Sequence, residues 1–159
     1  MLKNLFKPKP VDFAAPFQGR LMTLQEVPDP VFSSGSMGDG FAIEMTGGRV
    51  LSPVSGKITA LFPTGHAIGI KSQDRNEYLL HLGLDTVHFH GQGFHIAVTA
   101  EQQVKQGDLL AEVDLEFFRQ QGISMVSPIL VVNANSRRIR LLKEGTVQLQ
   151  ENGFLAITP

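Results

Sequence analysis

The 159-residue chain has no cysteine. That excludes disulfides, thiolate nucleophiles and Cys-based zinc sites, and it suits a reducing compartment. Charge is sparse and balanced, with 14 Lys and Arg against 15 Asp and Glu and a formal net charge of -1. Such a balance offers no basic face to a polyanion, so nucleic acid is not expected as a partner. No apolar run approaches the roughly 20 residues that span a bilayer. The opening stretch MLKNLFKPKP is broken by Lys and Pro too soon for a secretory signal. A cytoplasmic protein without stable membrane insertion is expected.

Hydrophobic residues make up 42% of the chain and charged residues 18%, a globular balance, and the length suits one domain with its own core. Sixteen Gly and nine Pro divide the chain into short runs rich in Val, Ile, Leu and Phe. That punctuation predicts an all-β fold, an antiparallel sandwich or barrel. Alternation marks strands at 57–62, 66–70 and 94–98, a turn at 104–108 and a strand at 109–113. One helix is expected after Asp114, which can cap it. Glu116 favours its positive end, Phe117 and Phe118 anchor it on the sheet, and Gly122 stops it. A further helical turn is expected after Asn135.

Pro16-Phe17-Gln18-Gly19-Arg20-Leu21 matches Pro53-Val54-Ser55-Gly56-Lys57-Ile58, and a Leu follows three positions later in both, at Leu24 and Leu61. The repeat suggests a duplicated motif whose halves pack face to face. Residues 1–10 read as a flexible arm and 11–159 as a single domain. In the arm, Met1, Leu2, Leu5 and Phe6 fall at near-helical spacing beside Lys3 and Lys7. Pro8 and Pro10 end any such helix, so membrane contact there would be weak.

The chemistry lies with five histidines at 66, 81, 88, 90 and 95. A neutral imidazole can act as a nucleophile and form a covalent intermediate. On a strand, His81 shares a face with Leu79, opposite Tyr78, Leu80 and Leu82. A His among leucines is ordinarily a core or edge residue. Gly83, two positions on, can end the strand and expose backbone N–H groups suited to phosphate oxygens, with Asp85 and Thr86 adding a carboxylate and a hydroxyl. His66 has small neighbours that leave its ring uncovered. The Thr64 hydroxyl can accept from one ring nitrogen and fix the tautomer, so that the other faces outward as an acceptor. His88 and His90 can be read as a zinc-binding His-x-His on a strand. A solvated turn before Gly91 and Gly93 is the preferred reading.

Several stretches together resemble the glucose-class enzyme IIA component of the bacterial phosphoenolpyruvate-dependent sugar phosphotransferase system. They are APFQGRL from Ala15, VPDPVFSSGSMGDGFAI from Val27, SPVSGKI from Ser52, TGHAIGI from Thr64, HLGLDTV from His81 and VKQGDLLAEVDLEFF from Val104. The resemblance covers roughly residues 11–159. It implies an antiparallel β-sandwich on a duplicated motif. It also implies that His81 is the phosphorylated histidine, His66 its partner, Thr64 the hydroxyl orienting that partner and Asp85 the adjacent carboxylate. The implied reaction takes a phosphoryl group from the carrier HPr and passes it to a IIB domain of a sugar permease, with no cofactor and no metal. The three histidines at 88–95 depart from the family's usual polar residues and alter only the rim of the site.

Such transfer needs donors around the phosphoryl oxygens. In transfer His66 can instead donate an N–H to a phosphoryl oxygen, and backbone N–H groups near Gly83 are further candidates. It also needs an apolar rim for a docking protein, for which Met37, Phe62, Ile68 and Leu79 are the candidates. Two competing readings are a regulatory binding module of the same fold, whose partners are target proteins, and a lysostaphin-like zinc metallopeptidase. The latter rests on His81-x-x-x-Asp85 and His88-x-His90, but in such peptidases the two pieces lie far apart in the chain.

Overall fold

The computed structural model describes residues 8–159. The amphipathic pattern at residues 1–7 lies outside the described residues. In chain order the strands are β1 (Gly19–Thr23), β2 (Asp39–Met45), β3 (Arg49–Leu51), β4 (Gly56–Leu61), β5 (Ala67–Ser72), β6 (Glu77–His81) and β7 (Phe94–Ile96). They continue with β8 (Gln103–Val104), β9 (Leu109–Val113), β10 (Val126–Val131), β11 (Arg138–Leu141), β12 (Thr146–Val147) and β13 (Leu155–Thr158). Eight form one sheet in the order β12-β1-β2-β10-β6-β5-β4-β8, β3-β9-β7 form a second, and β11-β13 a third. The pairings are antiparallel.

The order of the large sheet reads the same from both edges once β1 is matched with β4 and β2 with β5. Both repeat glycines open their strands, Gly19 in β1 and Gly56 in β4. Each has the same reason to be glycine: a Cβ would lie 1.9 Å from the Glu44 carbonyl oxygen in one case and 2.0 Å from that of Lys71 in the other. The halves join edge to edge at β6 and β10, rather than meeting only as two stacked faces. One core still draws on both, with Phe17, Leu21 and Ile43 packed in the same cluster as Ile58, Ile70 and Leu80.

β10 is buried along its whole length. Ile129 and Val131 enter the main core, while Val126 and Leu130 join a second cluster with Phe32, Met22 and Leu84. That second cluster backs the face of β6 that carries Leu79 and His81. Burying a side chain of this size stabilises by about 1.5–3 kcal/mol, so β6 is fixed on both faces.

The helix predicted after Asp114 spans Leu115–Gln120. Asp114 Oδ1 accepts from the Phe117 N–H at 3.0 Å, and Phe118 is fully buried. Phe118 packs on Phe89 and Phe94, at centroid distances of 5.5 and 5.1 Å, so aromatic rings as well as the sheet anchor this helix. After Asn135 there is a turn instead of a helix. Asn135 has φ 58°, in the left-handed region, and Arg137 caps the turn by donating to the Ala134 and Asn133 carbonyls. A four-residue helix at Pro30–Ser33 was not predicted, although its signal is in the sequence. Asp29 caps it through the Val31 N–H at 3.0 Å, and Pro30 starts it with a ready-made φ. No helix among the described residues is long and apolar enough to cross a membrane.

Candidate functional site

His81 closes β6, and its register partner on β5 is Ala67. The ladder between β6 and β10 runs only as far as Ile129 and Leu80. The next residue of β10 is Pro128, which has no N–H to offer. At that point the chain leaves the sheet, and the His81 side chain stands at the end of a fixed strand.

His66 immediately precedes Ala67, and the Leu82 N–H donates to its carbonyl at 2.7 Å. The two imidazoles therefore meet, with ring centroids 5.2 Å apart and planes at 71°. Phe62 stands edge-on to His66 at 5.1 Å, and Phe32 to His81 at 4.9 Å. The four rings form a continuous row, Phe62–His66–His81–Phe32.

The ring of His66 is not uncovered, as its small sequence neighbours suggested. The residue is only 7% exposed, because Phe62 and His81 cover what Gly65 and Ala67 leave open. Thr64 Oγ1 is hydrogen-bonded to His66 Nδ1, which leaves Nε2 as its free ring nitrogen. His81 Nδ1 lies 2.8 Å from the Gly83 carbonyl oxygen. A carbonyl can only accept, so Nδ1 carries the proton and Nε2 keeps its lone pair.

Burial lowers the pKa of both histidines below the ordinary value. For His66 the neighbouring His81 adds to the effect. For His81 the Gly83 carbonyl, Asp29 and Asp85 pull partly the other way, because each favours a positive ring. Both rings are thus neutral at neutral pH, the state in which an imidazole nitrogen is nucleophilic.

Gly83 serves the site through its carbonyl and not as an N–H donor to phosphate. Its own N–H is taken by Ser127 Oγ at 2.9 Å. The Thr86 hydroxyl is likewise committed, donating to the Leu82 carbonyl at 2.6 Å, and is fully buried. Asp85 is exposed, in a left-handed conformation with φ 62°, and acts on His81 through charge without a direct hydrogen bond.

Of the proposed rim, Met37 and Phe62 are each 41% exposed. Ile68 is wrongly placed in it: this residue is fully buried and is the register partner of Leu80 in the core. Leu79 is only partly exposed and packs on the second cluster, beneath His81. Val31 and Val87 are exposed large hydrophobics on segments that also carry Phe32 and Asp85. Sequence reasoning missed Val31, Val87, Phe32 and Asp29. The signal for three of them was the Asp29-Pro30 helix start.

His88 lies in a 3-10 turn and His90 just after it in a left-handed conformation, both exposed, so they do not form a strand-borne pair. His95 is exposed on β7, opposite Glu112. No group of three or more His, Asp or Glu among the described residues is placed to hold a metal ion. A groove of about 910 Å³ runs past Arg20, Leu21, Ile139 and Leu141, and none of Thr64, His66, His81 or Asp85 lines it. The paired histidines lie away from that groove, His66 buried and His81 partly exposed, with the exposed apolar side chains Phe62, Val31 and Val87 on neighbouring segments.

Comparison with known proteins points the same way. Residues 11–137 match the profile of the phosphoenolpyruvate-dependent sugar phosphotransferase system EIIA 1 family. A glucose-specific EIIA component of the sugar phosphotransferase system from Bacillus cereus is 45% identical over 140 residues, covering 86% of this chain and 85% of the relative. One from Oceanobacillus iheyensis is 39% identical over 163 residues, covering 99% of each. The solved structure of glucose permease IIA from Mycoplasma capricolum superposes with a TM-score of 0.83 at 39% identity, covering 92% of this chain and 96% of that one.

Proposed function

This chain belongs to the phosphoenolpyruvate-dependent sugar phosphotransferase system EIIA 1 family, and we propose that His81 Nε2 is the atom on which it carries the phosphoryl group. The observation that supports this choice is the hydrogen bond from His81 Nδ1 to the Gly83 carbonyl, which leaves Nε2 unprotonated beside His66. The chain is a phosphotransferase component, and its folded domain extends over residues 11–159. The family profile begins at residue 11, where the Val11 N–H donates to the Leu155 carbonyl at 2.9 Å.

The phosphoryl donor is HPr carrying its own phosphohistidine. Its P–N bond breaks as a new one forms to His81 Nε2, in line, and the donor nitrogen leaves with the electron pair. No proton has to leave Nε2. Once both ring nitrogens are substituted, positive charge develops on His81, where the Gly83 carbonyl, Asp29 and Asp85 favour it. His66 supplies an Nε2–H to a phosphoryl oxygen when the Thr64 hydroxyl donates to its Nδ1. In the second step a nucleophile of a IIB domain attacks the same phosphorus and His81 leaves. The apolar side chains Phe62, Met37, Val31 and Val87 surround the exchange and exclude water.

The test is His81→Ala. Incubated with phospho-HPr, the variant should take no phosphate. Acid-labile phosphate mapped by mass spectrometry to His66, His88 or His90 in that variant would overturn the assignment.

A further inference from the structure

We propose that Ser127 and Thr86 are positioning residues for phosphoryl transfer, gripping the Leu82–Gly83 peptide from both ends to hold His81 with Nε2 free. The proposal rests on His81 being the phosphoryl acceptor.

The carbonyl of Leu82 and the N–H of Gly83 belong to one planar peptide unit. Thr86 Oγ1 donates to that carbonyl at 2.6 Å, and that N–H donates to Ser127 Oγ at 2.9 Å. Both side chains are fully buried. The direction of each bond is forced. The Gly83 N–H can only donate, so the Ser127 oxygen accepts, and its single proton goes to the Met125 carbonyl at 3.1 Å.

The next peptide unit is held as well. The Leu84 N–H donates to the Ser124 carbonyl at 3.1 Å, and the Gly83 carbonyl of the same unit receives His81 Nδ1 at 2.8 Å. Between the two units sits Gly83 at φ +80°, where a Cβ would lie 2.7 Å from Thr86 Cγ2 and 2.8 Å from Met125 Sδ. Glycine leaves such a backbone free to rotate. The two hydroxyls remove that freedom.

The need for a side-chain acceptor follows from β10. Its backbone ladder to β6 stops at Ile129, and Pro128 intervenes before Ser127. The buried Gly83 N–H thus has no backbone partner from β10, and an unpaired buried donor is costly. Ser127 completes the register that the proline interrupts. Without it the Leu82–Gly83 peptide can turn about Gly83, the Gly83 carbonyl of the following unit shifts off His81 Nδ1, and the proton on His81 is no longer confined to that nitrogen.

The experiment is 15N NMR of the histidine side chains, with transfer kinetics from phospho-HPr, on Ser127→Ala, Thr86→Val and Ser127→Thr in the full chain. In the unmodified protein, neutral His81 should be protonated at Nδ1 alone. Ser127→Ala should mix the two tautomers and lower kcat at least ten-fold with KM for HPr unchanged, because the docking surface is untouched. Thr86→Val should shift both readouts in the same direction, and Ser127→Thr should restore them. A folded Ser127→Ala with unchanged tautomer, whether or not its rate falls, overturns the proposal. Should Ser127→Ala fail to fold, Thr86→Val decides by the same criterion. A His81→Ala variant that still accepts phosphate would refute the acceptor assignment instead, and would do so irrespective of the tautomer result.

Discussion

Ala67 and His81 are register partners across β5 and β6, and this pairing sets His66 beside His81 with ring centroids 5.2 Å apart. The two rings are not equivalent. His81 has its Nδ1 on a backbone carbonyl, whereas His66 has its Nδ1 on a hydroxyl that can either donate or accept. A fixed tautomer suits a nucleophile and an adjustable one suits a partner that follows the moving charge.

His66→Gln should therefore still accept phosphate on His81. Glutamine keeps an N–H donor but cannot take up a proton from its neighbourhood. Onward transfer should slow by about a hundred-fold or more, the usual cost of losing one stabiliser of developing charge. The measurement is a chase of labelled variant with the IIB acceptor. Onward transfer at the unmodified rate would remove His66 from the chemistry.

The lowered histidine pKa values carry a stability consequence. In the unfolded chain a histidine titrates near about 6.5. In the folded protein burial holds His66 and His81 below that value. Between the two values the unfolded state binds protons that the folded state refuses, so stability falls as pH falls through that window. The melting temperature should be level above about pH 7 and decline as the pH drops from about 6.5 toward the folded values. Replacing both histidines with Gln should reduce that decline. The carboxylates held low by hydrogen bonds, among them Asp12 and Glu151, act in a separate and more acidic window. An unchanged slope in the double variant would show that these two rings are not the titrating groups.

Much of the fold is legible because strand alternation and glycine punctuation are local signals. The strand expected at 109–113 is observed as Leu109–Val113, and the Asp114 cap starts the following helix. The division of β6 into a Leu79–His81 face and a Tyr78–Leu80 face follows from period two alone. Ile68 was misjudged for want of a register. Only its pairing with Leu80 shows that it points into the core. The exposure of His66 was misjudged because Phe62, four residues earlier, folds back over it across a turn at Gly65. The bond from the Gly83 N–H to Ser127 Oγ joins residues 44 apart in the chain, which no local pattern encodes.

The exposed apolar side chains near the histidines give the last prediction. Phe62, Met37, Val31 and Val87 are large hydrophobics left substantially in water, on segments that also carry His66, Phe32 and Asp85. An aspartate at any of the four would place an uncompensated charge on the proposed docking rim. Because these positions are exposed, the fold should survive, and surface changes usually alter stability by less than about 0.5 kcal/mol. Docking should weaken by about 1.4 kcal/mol or more, which is a ten-fold rise in KM for HPr. Val132 supplies the control. It is 46% exposed, but its N–H bonds the Glu77 carbonyl at the end of β6 farthest from His81. Val132→Asp should leave KM unchanged. Steady-state kinetics of Phe62→Asp, Val31→Asp and Val132→Asp decide the matter. Equal KM values in all three would place the docking face elsewhere, and a rise confined to Val132→Asp would place it at the opposite end of the sheet.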